Sequence, residues 1–319
     1  MDRQTLLELV QPKKDLWEKS FRDIRVMLLT IGFPGSGSSL AGYLLTAHPS
    51  MVIADEPDIY KHGNLIASHI NNINGIKRED VDCLYLADLN KIFSVIFNLD
   101  YVRWLMKTKS NFSRENKPYS FTTKYQGDPY ILRRYVLVPN QYQGCFESPK
   151  VIGVKHSLDN VECLSKANVL KTLKKRLKER GIHLKLILTV RNPYDMISLR
   201  VRKTVSCQKY LRKEITKKAI SFIEELSKNN MEILKQTDPK DIFISRHEEM
   251  IAHPSLQLAK MCEFVQVSVS PDYLDSCTSC VQTEPHRRRF VFDWTWIQKR
   301  RVASLIKKYN FFSGYDWKS

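Results

Sequence analysis

Nowhere in these 319 residues does an apolar run approach the ~20 residues that a membrane-spanning helix requires. The stretch from Met1 to Gln4 carries an early acidic side chain and no apolar leader core follows it, which predicts a cytoplasmic protein. Zinc-finger, homeodomain and RNA-recognition signatures are all missing, so sequence-specific nucleic-acid binding is not expected. There is also no internal repeat and no low-complexity linker. Cysteine is sparse and odd in number: Cys83, Cys145, Cys163, Cys207, Cys262, Cys277 and Cys280 are scattered, which suits reduced thiols rather than a disulfide framework. Cys277 and Cys280 make the one C-x-x-C. With no second C-x-x-C or H-x-x-x-H, they read as a surface or half-buried thiol pair rather than a zinc site.

Acidic residues are in deficit. Only 34 Asp and Glu face 51 Lys and Arg, giving a formal net charge of +17. Such an excess suits nucleic acid, an anionic membrane surface or anionic ligands. The runs Lys171 to Arg180 and Lys209 to Lys218 read as solvated helix faces, and a polyanionic nucleotide accounts for part of the remainder.

What the chain does contain is one well-marked turn. The apolar run from Val26 to Ile31 is followed by Gly32-Phe33-Pro34-Gly35-Ser36-Gly37-Ser38-Ser39 and then by a helical pattern from Leu40 to Ala47. Strand, glycine-rich turn and helix hold phosphate: the glycines permit a tight turn with exposed N–H donors, and the helix N-terminus adds partial positive charge. Ser38 and Ser39 can add hydroxyl donors. The spacing follows the triphosphate loop G-x-x-x-x-G-K-[ST], but Ser38 stands where the lysine belongs. A phosphate site is expected, and triphosphate cleavage is not.

Further strands are expected at 51–54, 151–154, 184–190 and 241–244, alternating with helices at about 161–180, from Pro193, 215–234, 256–265 and 294–309. Alternating strands and helices predict an α/β protein with a mostly parallel sheet flanked by helices. Residues 84–106 carry helical periodicity, and 110–127 read as a polar loop. Ligands gather at the C-terminal ends of such strands. There stand Asp55-Glu56-Pro57, Lys155-His156 and Arg191-Asn192-Pro193.

These stretches resemble signatures of the sulfotransferases that use 3′-phosphoadenosine-5′-phosphosulfate. The loop, with His48-Pro49 and Glu56-Pro57 after it, is similar to that family's 5′-phosphosulfate loop, P-[RK]-S-G-[TS]-[TS]. The run from Leu188 to Asp195 is similar to its 3′-phosphate-binding strand and turn. Ser245-Arg246-His247-Glu248-Glu249-Met250 is similar to its Y-E-D-L segment, and Gly314-Tyr315 to a carbohydrate-sulfotransferase terminus. The matches run in order from about residue 25 to the end, with 60–135 uncovered. Leu40 stands where cytosolic members stack adenine on tryptophan, so the chain sits nearer the carbohydrate and tyrosylprotein branches.

The resemblance implies a single domain over 1–319 with a P-loop NTPase-like sulfotransferase fold, and 60–135 as a helical insertion forming much of the acceptor pocket. It implies 3′-phosphoadenosine-5′-phosphosulfate as co-substrate, adenosine 3′,5′-bisphosphate as product, and no metal. Pro34, Gly35, Ser36, Gly37, Ser38 and Ser39 are then donor-binding, as are Arg191, Ser198 and His247. Ser198 falls seven residues after Arg191, where the family places its serine eight after. Arg287, Arg288 and Arg289 either close over the 3′-phosphate or form a solvated charge run.

The family's basic residue is missing at Gly35. Lys155 takes over, or the loop amides suffice, or activity has been lost. Two bases are open: Glu56, at the tyrosylprotein-type glutamate position, and His156, near the cytosolic-branch histidine. The expected acceptor is a hydroxyl or amine of a soluble small molecule, a natural product or sugar. Tyr60, His62, Tyr101, Trp104, Tyr125, Tyr130 and Tyr142 either line its pocket or belong to the core. An impaired nucleotide-binding protein and a P-loop phosphotransferase stay open as alternatives.

Overall fold

The computed structural model describes residues 21–55, 119–124, 132–138, 141, 148–155, 157–205 and 212–319. Its centre is β1 (Val26–Gly32), buried along its whole length. α1 (Ser38–Thr46) and β2 (Met51–Asp55) follow, then a separate antiparallel pair, β3 (Tyr119–Lys124) and β4 (Leu132–Leu137). Next come β5 (Val151–Lys155), α2 (Ser157–Leu164), α3 (Val169–Glu179) and β6 (His183–Val190). The remainder is α4 (Pro193–Val205), α5 (Arg212–Lys235), β7 (Ile242–Arg246), α6 (His247–Ala252), α7 (Pro254–Phe264), α8 (Pro271–Ser279) and α9 (Trp296–Lys308).

Five strands make one sheet in the order β2-β5-β1-β6-β7, and every pairing is parallel. Successive side chains alternate between the two faces, and both faces are covered. Met27, Leu29, Ile31, Leu186, Leu188 and Val190 face the core shared with α2 to α5 and α9. Val26, Leu28 and Ile187 face the second core, shared with α1, α7 and α8. Each fully buried Leu or Ile contributes about 1.5–3 kcal/mol, so β1 and β6 form a stiff floor for whatever stands at their ends. Among the described residues no helix is long and apolar enough to cross a membrane.

The expected strands and most of the expected helices are present. The helix expected at 161–180 is two helices, because Asn168 takes the left-handed conformation (φ 67°) that asparagine tolerates better than most side chains. α3 then buries Leu170, Leu173 and Leu177 and ends at Gly181 in a Schellman motif: Ile182 N donates to Leu177 O at 2.9 Å and Gly181 N to Lys178 O at 3.0 Å. The loop expected at 110–127 contains β3, whose Tyr-Ser-Phe-Thr-Thr run suits a strand despite its polarity. α8 was not expected, although Ser270-Pro271 marks its start. Ser270 Oγ accepts from Tyr273 N at 3.2 Å with proline in the first turn. The helix pattern at 84–106 lies outside the described residues.

α8 also places the thiol pair. Cys277 is buried beneath α1 and Cys280 is half-buried. No group of metal-ligating side chains occurs among the described residues.

Candidate functional site

At the C-terminal edge of the sheet, the loop from Gly32 to Gly37 is held from below. Phe33 is fully buried, with its ring 5.1 Å from Phe312 and 5.9 Å from Phe311. Ser36 Oγ donates to Phe33 O at 2.6 Å and lies 2.7 Å from Thr189 Oγ1 on β6. The buried hydroxyl of Ser36, expected at the anion site, also fastens the loop to the sheet. Ser38 and Ser39 occupy the first turn of α1 behind Gly37, which takes φ 94°, and no side chain of the described residues caps the helix. The uncapped N-terminus is therefore available to an anion, in the geometry that favours negative charge. Pro34 opens the turn and is half-buried.

Gly35 has φ 81°, and a Cβ there would meet Leu199 Cδ2 at 2.7 Å. The lysine or arginine that the resemblance puts in this place would be strained in the left-handed backbone and would press on the Leu199 side chain. Gly35→Lys is expected to destabilise the fold by about 1–2 kcal/mol, read as a lower melting temperature. An unchanged melt would remove this steric account.

Across the loop stands Arg191, at the end of β6 and 6% exposed. Its Nη1 donates to Gly35 O at 3.4 Å and its Nη2 to His286 O. Its Nε is buried without a hydrogen-bond partner among the described residues. Burial lowers its pKa from the ordinary value, and the carboxylates of Asp195 and Glu248 oppose the shift; an arginine remains charged. His247, first residue of α6, lies over Gly37, where a Cβ would come within 2.6 Å of its Nδ1. That Nδ1 is likewise buried and without a partner among the described residues. Burial first, and then the charge on Arg191, push the imidazole down to about 4, so it is neutral at neutral pH.

Lys155 ends β5 and is 1% exposed. Gly42 of α1 admits its stem, since a Cβ there would meet Lys155 Cγ at 2.9 Å. The β2–β5 register sets Lys155 opposite Asp55. Glu56 and His156, the two candidate bases, follow these residues in the chain and lie outside the described residues.

The remaining expected residues divide. Ser198 Oγ donates to Tyr194 O at 2.8 Å within its own helix, and the side chain is buried. Of the arginine triplet, Arg287 is exposed and Arg288 half-buried. Arg289 faces inward. Its guanidinium pairs with Asp195 and donates to Trp317 O at 3.0 Å and to Ser319 O, while its main-chain N donates to Asp195 Oδ1 at 2.8 Å. Arg289, expected either to close over the 3′-phosphate or to lie in a solvated charge run, is a buried fastening paired with the equally buried carboxylate of Asp195.

One fastening residue was not singled out from the sequence. Glu248 accepts from Asn192 N at 3.1 Å and from Tyr315 OH at 2.6 Å, tying the Arg191 turn to the end of the chain. Its signal was the second residue of the His247-Glu248-Glu249 run.

The sulfotransferase domain model matches residues 26–318. None of the curated proteins matches the chain. Among solved structures, the sulfotransferase domain of the Synechococcus PCC 7002 olefin synthase is 14% identical, with a TM-score of 0.45, covering 90% of this chain and 94% of that one. Sulfotransferase STF9 from Mycobacterium avium is 13% identical, with a TM-score of 0.47, covering 96% and 81%. The sulfotransferase domain from the curacin biosynthetic pathway is 13% identical, with a TM-score of 0.47, covering 89% and 97%. With the family model spanning nearly the whole chain, from the first strand through the Arg191 turn to the final residues, this protein belongs to the sulfotransferase family.

Proposed function

We propose that this sulfotransferase takes its sulfonate from 3′-phosphoadenosine-5′-phosphosulfate and passes it to a hydroxyl or amine of a small natural product or sugar-like acceptor. The observation that carries the reading is the pair of orphaned polar atoms, Arg191 Nε and His247 Nδ1, buried beside the uncapped loop. A buried polar atom without a partner costs about 1–3 kcal/mol, and a bound polyanion offers Arg191 Nε an acceptor.

The co-substrate supplies an activated sulfonate. The main-chain N–H groups at the start of α1, with the hydroxyls of Ser38 and Ser39, hold its 5′ side, and Arg191 holds the 3′-phosphate. Lys155 replaces the cation absent at Gly35 and steadies charge that develops during transfer. Glu56 or His156 takes the acceptor's proton. Residues 60–135 contribute much of the acceptor pocket as an insertion in a single domain. The setting is cytoplasmic, and no metal takes part.

The test is a thermal melt in EDTA with adenosine 3′,5′-bisphosphate, followed by a transfer assay with labelled donor. A ligand at 100 times its Kd raises stability by about 2.7 kcal/mol. Lys155→Met is expected to lower kcat by about 10²–10³-fold while the bisphosphate shift persists. A shift with ATP and Mg²⁺ alone would instead establish phosphotransfer. Bisphosphate binding without any product across a broad acceptor panel would establish an impaired nucleotide-binding protein.

A further inference from the structure

Part of the basic excess remains unexplained by the donor site, and it coincides with an unusual piece of surface. Between the arginine triplet and α9 the chain alternates in and out. Phe292 and Trp294 pack inward against the core, with Trp294 5.3 Å from Tyr194. Their neighbours point to solvent: Val291 is 84% exposed, and Trp296 and Ile297, on the first turn of α9, are 70% and 71% exposed. Phe290 is half exposed beside them. The exposure is therefore built in, because the inward aromatics and the Thr295–Gln298 capping box fix which residues face out.

The rim of this apolar tip is cationic. Arg287 and Arg288 precede it in the chain and Lys299 and Arg300 follow on α9, and none of the four has an ion-pair partner among the described residues. The nearby Arg289 and Arg301 are already paired, with Asp195 and Glu224. The guanidinium of Arg300 sits 5.4 Å from the Trp296 ring centre and the ammonium of Lys299 3.7 Å from that of Trp317. The acidic side chain within the segment, Asp293, is paired with Arg212.

We infer that this tip docks the protein on the surface of an anionic phospholipid bilayer. The apolar side chains enter the headgroup–acyl boundary, the indole of Trp296 sits at the interface, and the cationic rim meets the lipid phosphates. A second copy of the chain would bring two cationic rims together. Nucleic acid would use the cations but leave Val291 and Ile297 in water. An anionic bilayer satisfies both parts of the patch.

The experiment is co-sedimentation of the full chain with vesicles of phosphatidylcholine alone or of phosphatidylcholine with phosphatidylserine. Partitioning is expected to be at least about tenfold higher on the anionic vesicles and to fall with added salt. The double variant V291S/I297S is expected to lose about tenfold of that partitioning, as is Arg300→Glu, with melting temperature and bisphosphate binding unchanged. The docking surface is overturned if anionic vesicles bind no better than neutral ones, or if V291S/I297S binds them like the parent. It is equally overturned if sedimentation velocity shows a dimer that V291S/I297S dissolves, which would make a second copy the occupant. Bisphosphate binding is read separately, so a failed donor site and a failed membrane surface give different results.

Discussion

Replacing Arg191 with alanine is expected to erase the thermal shift with adenosine 3′,5′-bisphosphate and to lower kcat/KM by about 30- to 4000-fold. That range converts the 2–5 kcal/mol lost when one partner of a buried, hydrogen-bonded charge pair is removed. Two of the guanidinium's nitrogens serve the protein, one on Gly35 O and one on His286 O, while Nε has no acceptor among the described residues. The same side chain thus joins the loop to the segment preceding the arginine triplet and keeps a donor for a ligand. The variant should also melt lower without ligand, since each lost hydrogen bond contributes about 0.5–1.5 kcal/mol. Arg191→Lys keeps the charge but not the planar fork and is expected to recover only part of the binding. An Arg191→Ala protein that still shifts with bisphosphate would reduce Arg191 to a structural link.

Asp195→Ala is expected to be the most destabilising single change near the site. Arg289 and Asp195 are 1% and 2% exposed, and removal of the carboxylate strands a guanidinium in the interior. Breaking one partner of such a pair costs about 3–5 kcal/mol, a drop of about 5–8 °C in melting temperature for a chain of this size. Replacing both residues, Asp195→Leu with Arg289→Met, should restore most of the loss, because the pair itself contributes little net stability. Arg289→Ala differs in its pH dependence. Burial already raises the pKa of Asp195, and Arg289 opposes that rise. Without Arg289 the folded-state pKa climbs further above the unfolded one, so the variant loses stability as pH rises through the carboxyl range. Its penalty should be smaller near pH 4 than near pH 8. Melts of Asp195→Ala within about 1 °C of the parent would show that the pair is not the fastening described.

Several residues around the site look alike in the sequence and differ in the structure. Arg287, Arg288 and Arg289 are adjacent and identical in type, yet one is exposed, one half-buried and one an internal partner of Asp195. Ser36 and Ser38 are two residues apart, and only the first is tied down by Thr189. Nothing in either short stretch distinguishes them, because the deciding partner lies on another element.

The parallel α/β sheet, the phosphate loop, the Arg191 turn and most helix positions were legible in the residues themselves. Those features follow from short-range chemistry: apolar periodicity, the φ freedom of glycine and proline at a first turn. The order β2-β5-β1-β6-β7 was not legible, nor was the pairing of Arg289 with Asp195, which stand 94 residues apart in the chain. A charged side chain is a surface ion or a buried clasp according to how much water and which counter-charge surround it. Those surroundings exist only once distant segments have packed together, and that is what the tertiary structure alone decided.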